Sequence, residues 1–223
     1  MALVQTEEEQ KVEPVKETHS VKEDLLEVAQ YFKDPMIYLY SVTCCLLMMV
    51  DRAALSWSGN YFVDYLHLDL NHDAALFNSL YYGLSTITRI FGGFIADYLG
   101  YYCILYITLG VTLVLYIVGF STGIVGIWII CSTGIFISFY YSIFLCLVIR
   151  FFESRSALAT SVILPIESLL VSILTLPLGY LNDYCGAEWA FRSTIVFVVL
   201  SMAFVGWLHS IQLKKDKKSK PEV

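Results

Sequence analysis

The chain has 223 residues, of which 57% are hydrophobic and only 15% are charged, and its formal net charge at pH 7 is −6. A soluble globular domain is typically about 45–50% apolar and about 25% charged, so this composition excludes an ordinary soluble domain. The negative charge, with no basic patch before the last ten residues, excludes a typical nucleic-acid-binding protein. All nine lysines lie in the first 33 or the last ten residues, a distribution typical of a polytopic helical membrane protein.

Six apolar segments lie between two polar tails. Residues 1–34 are rich in Glu and Lys and predict a cytoplasmic tail, and residues 214–223 predict a second, basic one. About 20 residues at 1.5 Å rise cross the ~30 Å hydrocarbon core of a bilayer. Residues 35–213 therefore predict an all-α membrane protein, a bundle of six transmembrane helices within the segments 36–57, 74–96, 101–120, 123–149, 157–181 and 190–213.

The charges between these segments predict the orientation of the bundle. The first connection contains Asp64, Asp69 and Asp73 and no Lys or Arg, whereas the fourth contains Arg150 and Arg155. Cytoplasmic loops carry the excess of Lys and Arg. Both termini are therefore predicted to be cytoplasmic, which agrees with an even number of helices.

Ionisable side chains inside the predicted helices are the candidates for function, because a charge at the bilayer centre costs about 3 kcal/mol or more. Arg89 follows Asn78, Tyr82 and Ser85 at helical spacing, so these four residues share one face. A guanidinium group binds a carboxylate in bidentate fashion, which predicts contact of this face with an anionic substrate. The spacing equally allows a structural ion pair of Arg89 with an intramembrane acid, or a side chain that reaches towards the cytoplasm.

Two acidic residues are candidates for a proton-binding or ion-pair site. Glu167 lies in the middle of the fifth segment, where it could bind a proton, pair with Arg89 or form a hydrogen bond between helices. Asp51 and Arg52 lie in the outer part of the first segment, and either of them could face a cavity or reach the membrane interface. The sequence contains no phosphate-binding loop, catalytic triad or metal-ligand pattern. We therefore expect no enzymatic activity, no metal and no cofactor.

The second segment ends in the motif GFIADYLG, in which Gly93 permits close packing and Asp97 predicts a cap for the next helix. From Gly93 to Gly100 the motif resembles the cytoplasmic loop motif of the major facilitator superfamily. That motif reads glycine, three residues, aspartate, a basic residue, any residue, glycine and then two basic residues. Tyrosines occupy the basic positions here.

Further motifs resemble, in their order, the C-terminal six-helix half of a monocarboxylate transporter of that superfamily. The polar tail ends in YFKDPMIYLYS, an aromatic loop NYFVDYLHLDL follows, and STITRIFGGFIADYLG carries an intramembrane arginine. Residues 156–191 resemble the last helix pair of the family. The resemblance covers about residues 25–213.

This resemblance implies a secondary transporter of small organic anions. Arg89 matches the arginine that holds the substrate carboxylate in proton-coupled members, which have an aspartate one turn earlier, where this sequence has Ser85. The difference leaves open the facilitative branches, which carry aromatic amino acids, thyroid hormones or other organic acids. A peptide transporter of the same superfamily is a weaker alternative, because MVDRAALSWSGNYFVDYLHL is similar to the first helix of such proteins.

Complete transporters of this superfamily place the substrate between two six-helix halves. The resemblance therefore implies a half or fragment of a transporter, or a half-transporter that dimerises. A non-transporting membrane protein that binds or regulates a full transporter is the alternative. The expected partners are membrane lipid, a small carboxylate, a complementary half or second copy and, from the resemblance, a single-span ancillary glycoprotein. We expect no nucleic-acid partner and a location in the plasma membrane.

The predicted orientation can be tested by labelling from one side of the membrane. Cys185 lies in the last connection, so an impermeant thiol reagent added to sealed cells should label it. An epitope placed after Val223 should be protected until the cells are permeabilised. Recognition of that epitope on sealed cells would contradict the orientation.

Overall fold

The computed structural model describes residues 32–219, and within that range it describes only the backbone of residues 70, 71, 91–94, 96, 97, 218 and 219. The described chain forms helices joined by short connections, so the predicted all-α class is confirmed. Its α-helices are α1 Pro35–Asn60, α2 Ala75–Leu99, α3 Tyr101–Ser121, α4 Ile124–Cys131, α5 Thr133–Phe152, α6 Ser156–Cys185, α7 Ala187–Arg192 and α8 Thr194–Ser219. Two π-helical turns, Tyr61–Tyr65 and Leu70–Ala74, lie between α1 and α2, and a 3₁₀ turn, Glu153–Arg155, joins α5 to α6.

Four stretches of the described chain are long and apolar enough to cross a membrane, namely Pro35–Tyr65, Tyr101–Ser121, Ile124–Cys185 and Ala187–Lys217. Ile124–Cys185 has 62 residues, about three times the length that one crossing needs. Helix α2, which carries Arg89, lies outside these four stretches. The structure thus describes a helical multi-pass membrane protein, and the number of six crossings stays a prediction.

The helix boundaries follow from local backbone chemistry. Helix α1 begins where Asp34 Oδ1 accepts a hydrogen bond of 2.9 Å from the backbone N–H of Met36. Pro35 follows at the first helical position, which needs no N–H donor. Gly100 separates α2 from α3 with φ +85°, a conformation that a residue with a Cβ adopts only under strain. The glycine at the end of the predicted motif is therefore the residue that permits the reversal between these two helices.

Helix α8 extends further than the sequence predicted. It continues to Ser219, six residues into the region 214–223 that was predicted as a basic tail. Lys215 explains part of this difference, because its Nζ donates a 2.8 Å hydrogen bond to the carbonyl oxygen of Phe151 and lies 4.6 Å from the centre of that ring. The same Nζ is 3.6 Å from Glu153 Oε1. These contacts fasten the last turns of α8 to the connection between α5 and α6.

Helix α1 lies at the centre of the bundle. It packs against α5, α6 and α8, while α2 packs along α5, and α3 packs against α5 and α8. The largest side chains of the core are aromatic and are fully buried: Tyr40, Phe62, Phe77, Tyr81, Tyr116, Tyr140, Phe144 and Phe191. A buried tyrosine needs a hydrogen-bond partner, and Tyr140 Oη has one in Thr112 Oγ1 at 2.9 Å. The core therefore combines apolar packing with hydrogen bonds between helices.

Among the described glycines, two allow the closest approach of backbone, at the turn between α3 and α4. A Cβ added at Gly126 would lie 1.7 Å from the carbonyl oxygen of Gly119. One added at Gly119 would lie 2.5 Å from Ile130 Cγ1. Small residues allow such approaches between membrane helices, where packing replaces the hydrophobic effect as the driving force.

We predict that Gly126→Ala destabilises the bundle, because the new methyl group must displace the backbone of Gly119. Overpacking of this kind typically costs about 1–3 kcal/mol. Gly110→Ala in the middle of α3 is the matched control, since a Cβ there meets nothing within 4 Å and alanine favours the helix. The measurement is the unfolding free energy in detergent micelles. Equal stability of the two variants would contradict this account of the α3–α4 turn.

Candidate functional site

Asp51 and Tyr81 join the first two long helices by a hydrogen bond at the centre of the bundle. Tyr81 Oη donates to Asp51 Oδ1 at 2.9 Å, and the tyrosine side chain is fully buried. Gly134 on α5 lies directly behind it, because a Cβ at position 134 would be 2.9 Å from the Tyr81 carbonyl oxygen and 3.1 Å from its ring. The close contact of α5 with α2 therefore fixes the position of the phenol that binds the carboxylate.

Arg89, the first candidate for substrate contact, lies on α2 with its side chain exposed. Its positive charge attracts the Asp51 carboxylate, as does that of Arg52. Glu167, the other acid considered for Arg89, is attracted instead by Arg52. Of the two candidate acids, Asp51 is thus the one on which the charge of Arg89 acts.

The other residues of the predicted polar face differ in exposure. Tyr82 is 56% exposed, whereas Ser85 is 5% exposed and buried in the packing. Asn78 is half-buried, and its buried Oδ1 has no hydrogen-bond partner among the described residues. Ser85 and Tyr82 are roughly 60° apart around a helix with 3.6 residues per turn, so the edge of the packed surface runs between them. Within this chain, Tyr82 and Arg89 therefore face the outside of the bundle rather than its interior.

A second polar site lies beside Arg52, the residue that follows Asp51 on α1. It is a cavity of about 740 Å³ between α1, α5 and α6, lined by Met48, Arg52, Ser56, Tyr141, Glu167, Ser168, Val171, Ser172 and Thr175. Ligand sites typically enclose about 300–1,000 Å³ and combine an apolar lining with a few polar groups. The volume of this cavity lies within that range, and its lining is mostly polar.

Glu167 and Arg52 place opposite charges on two walls of this cavity. Glu167 on α6 is only 9% exposed, and its Oε2 accepts a hydrogen bond of 3.2 Å from Ser168 Oγ. Arg52 on α1 is exposed and attracts the Glu167 carboxylate. The ion pairs of the described residues lie elsewhere in the chain, for example between Arg192 and Glu188. Arg52 and Glu167 thus face one cavity without a direct ion pair.

Arg52 is the residue that sequence reasoning did not assign, because its position allowed either a cavity or the membrane interface. A signal was present on both helices. Met48, Arg52 and Ser56 repeat every four residues on α1 and line the cavity, and Ser168, Ser172 and Thr175 follow helical spacing on α6. The sequence shows each polar face but does not show that the two faces meet.

In the loop motif, the structure describes only the backbone of Gly93 and Asp97, whereas Gly100 at its end is fully described. Gly93 and Asp97 lie in the last turns of α2, and the predicted cap by the Asp97 side chain lies outside the described side chains. Within the described residues, no group of three His, Cys, Asp or Glu side chains could hold a metal ion.

Residues 1–169 match the family described as Major Facilitator Superfamily. This match covers more than half of the chain, so the chain belongs to the major facilitator superfamily, whose members are transporters and not enzymes. The comparison with curated proteins found no match.

We predict that Arg89 is energetically coupled to Asp51 and not to Glu167. Residues that interact directly show coupling energies of about 0.5–3 kcal/mol, whereas the free-energy changes of mutations at separate sites add up. The change in unfolding free energy of Arg89→Gln with Asp51→Asn should therefore differ from the sum of the single changes. The pair Arg89→Gln with Glu167→Gln, measured in the same micelles, should be additive. Coupling of the second pair alone would mean that Arg89 pairs with Glu167.

Proposed function

We propose that this protein works in secondary transport of small organic acids of the monocarboxylate type, as one six-helix half of a transporter. The observation that carries the proposal is the position of two guanidinium groups, those of Arg52 and Arg89. Both are exposed on the surface of an otherwise apolar bundle, and Arg52 lines a cavity of about 740 Å³. Both termini are proposed to be cytoplasmic and the membrane is proposed to be the plasma membrane.

The energetics of the bilayer support a role in carboxylate binding. A charged side chain within the hydrocarbon faces the bundle interior or a watery cavity, because exposure to lipid costs several kcal/mol. A guanidinium group offers paired N–H donors that match the two oxygens of a carboxylate. Asp51 and Glu167 lie near these arginines and would balance their charge while no substrate is bound.

The exposed polar face supports an assembly of two six-helix bodies. Tyr82 is 56% exposed on α2, and Arg89 is exposed two turns further along the same helix. Such a face in lipid is unfavourable, so a second body should cover it, either a complementary half or a second copy. The substrate would then lie between the two bodies, in contact with Arg52 and Arg89.

The same exposed face also supports a second candidate function, that of a non-transporting membrane protein that binds or regulates a full transporter. In that case the face binds the partner and no solute. The two candidates differ in the uptake that the purified chain supports.

The test is uptake of radiolabelled L-lactate and pyruvate by proteoliposomes that contain the chain. In these vesicles a second copy of the chain supplies the facing body, so we expect saturable uptake above that of empty vesicles, and no uptake with Arg89→Ala. Arg89→Lys keeps the charge but loses the paired donors, so the initial rate should fall roughly tenfold or more, as expected for a lost hydrogen bond to a charged group. Arg150→Lys, at the exposed end of α5, is the control and should keep the full rate.

Protein abundance in the vesicles separates the possible outcomes. Normal uptake by Arg89→Ala at normal abundance would contradict the role of Arg89. Absence of uptake by the wild-type chain, together with copurification of a full transporter from cells, would support the regulatory candidate instead.

A further inference from the structure

We propose that the cavity between α1, α5 and α6 binds a zwitterionic solute, that is, a small molecule with both a carboxylate and a protonated amine. This inference rests on the proposed function and specifies its substrate class. Arg52 would hold the carboxylate and Glu167 the ammonium group. An amino acid or a short peptide has this chemistry.

The wall formed by α6 presents hydrogen-bond acceptors to the cavity. A hydroxyl group has one proton to donate and two lone pairs that accept. Ser168 Oγ donates its proton to Glu167 Oε2 at 3.2 Å, and Ser172 Oγ donates to the Ser168 carbonyl oxygen at 2.9 Å. Thr175 Oγ1 donates to the carbonyl oxygen of Val171 at 2.8 Å. All three hydroxyl protons are thus committed, and their lone pairs remain for a ligand that donates.

Glu167 adds a negative charge to this row of acceptors. Its side chain is 9% exposed, and its described hydrogen bond, from Ser168, runs along its own helix. A buried charge is expensive unless it is paired and hydrogen-bonded. A ligand ammonium group, with three N–H donors, would supply both the opposite charge and the missing donors.

The opposite wall has the complementary chemistry. Arg52 on α1 offers only donors, because a guanidinium group has five N–H bonds and no acceptor. It attracts Glu167 across the cavity without forming an ion pair with it. A solute that carries an anionic and a cationic group can pair with both walls at once. A plain monocarboxylate would pair with Arg52 alone, so it should enter the same site and bind there more weakly than a zwitterion of the same shape.

The test compares three compounds of nearly equal shape on the purified full chain in detergent. L-leucine carries both charges, 4-methylpentanoate carries only the carboxylate, and 3-methylbutylamine carries only the ammonium group. Binding to the folded state raises its thermal stability by an amount that grows with the ratio of the ligand concentration to Kd. We expect L-leucine, and the longer zwitterion L-alanyl-L-alanine, to stabilise the chain at concentrations about tenfold or more below those that either single-charge compound needs.

Two variants assign the charges to the walls. Glu167→Gln should weaken the binding of L-leucine about tenfold or more, to the affinity of 4-methylpentanoate. The binding of 4-methylpentanoate itself should be unchanged. Arg52→Gln should weaken the binding of L-leucine and of 4-methylpentanoate, and it should leave the binding of 3-methylbutylamine unchanged. Glu153→Gln, which removes an exposed carboxylate at the connection between α5 and α6, should change none of the three.

The outcomes separate this inference from the proposed function. Equal stabilisation by L-leucine and 4-methylpentanoate would overturn the inference of a zwitterionic solute and leave the proposed transport of carboxylates in place. Failure of both zwitterions to stabilise the wild-type chain would also overturn it, and this comparison needs no variant to fold. Stabilisation by L-leucine without uptake of L-leucine into vesicles would support the site and contradict the transport function.

Discussion

A polar side chain within the hydrocarbon must find a polar partner, and the rest of the bundle is arranged around that constraint. The hydrogen bond from Tyr81 to Asp51 satisfies it at the centre, because it gives a carboxylate on α1 a donor from α2 in a region of close packing. Gly134 permits this geometry by bringing the backbone of α5 against Tyr81. Packing and polar chemistry therefore depend on each other here, as in membrane proteins generally.

Helix α1 connects the two polar regions of the molecule through consecutive residues. Neighbouring side chains on a helix point about 100° apart, so Asp51 faces Tyr81 and α2 while Arg52 faces Glu167 and α6. One turn of helix thus supplies a carboxylate to one region and a guanidinium group to the other. The charge of Arg52 attracts the acids of both regions, Asp51 and Glu167.

Much of the fold was predictable because hydropathy, length and turn chemistry are local. The boundaries of α2, α3 and α6 lie within a few residues of the predicted segments. The extension of α8 to Ser219 was not predicted. It depends on the contact of Lys215 with Phe151. This is a contact between different elements, which periodicity within one segment does not record.

The sequence by itself determined that this is a helical membrane protein. It predicted Arg89, Asp51 and Glu167 as candidate intramembrane residues, and its loop motif resembles that of the major facilitator superfamily. Only the tertiary structure decided which charges act on one another: Arg89 on Asp51, and Arg52 on both Asp51 and Glu167. The physical reason is that helical spacing fixes the faces of a single helix. The rotation of one helix against another is set by side-chain packing, and that rotation decides which faces share a site.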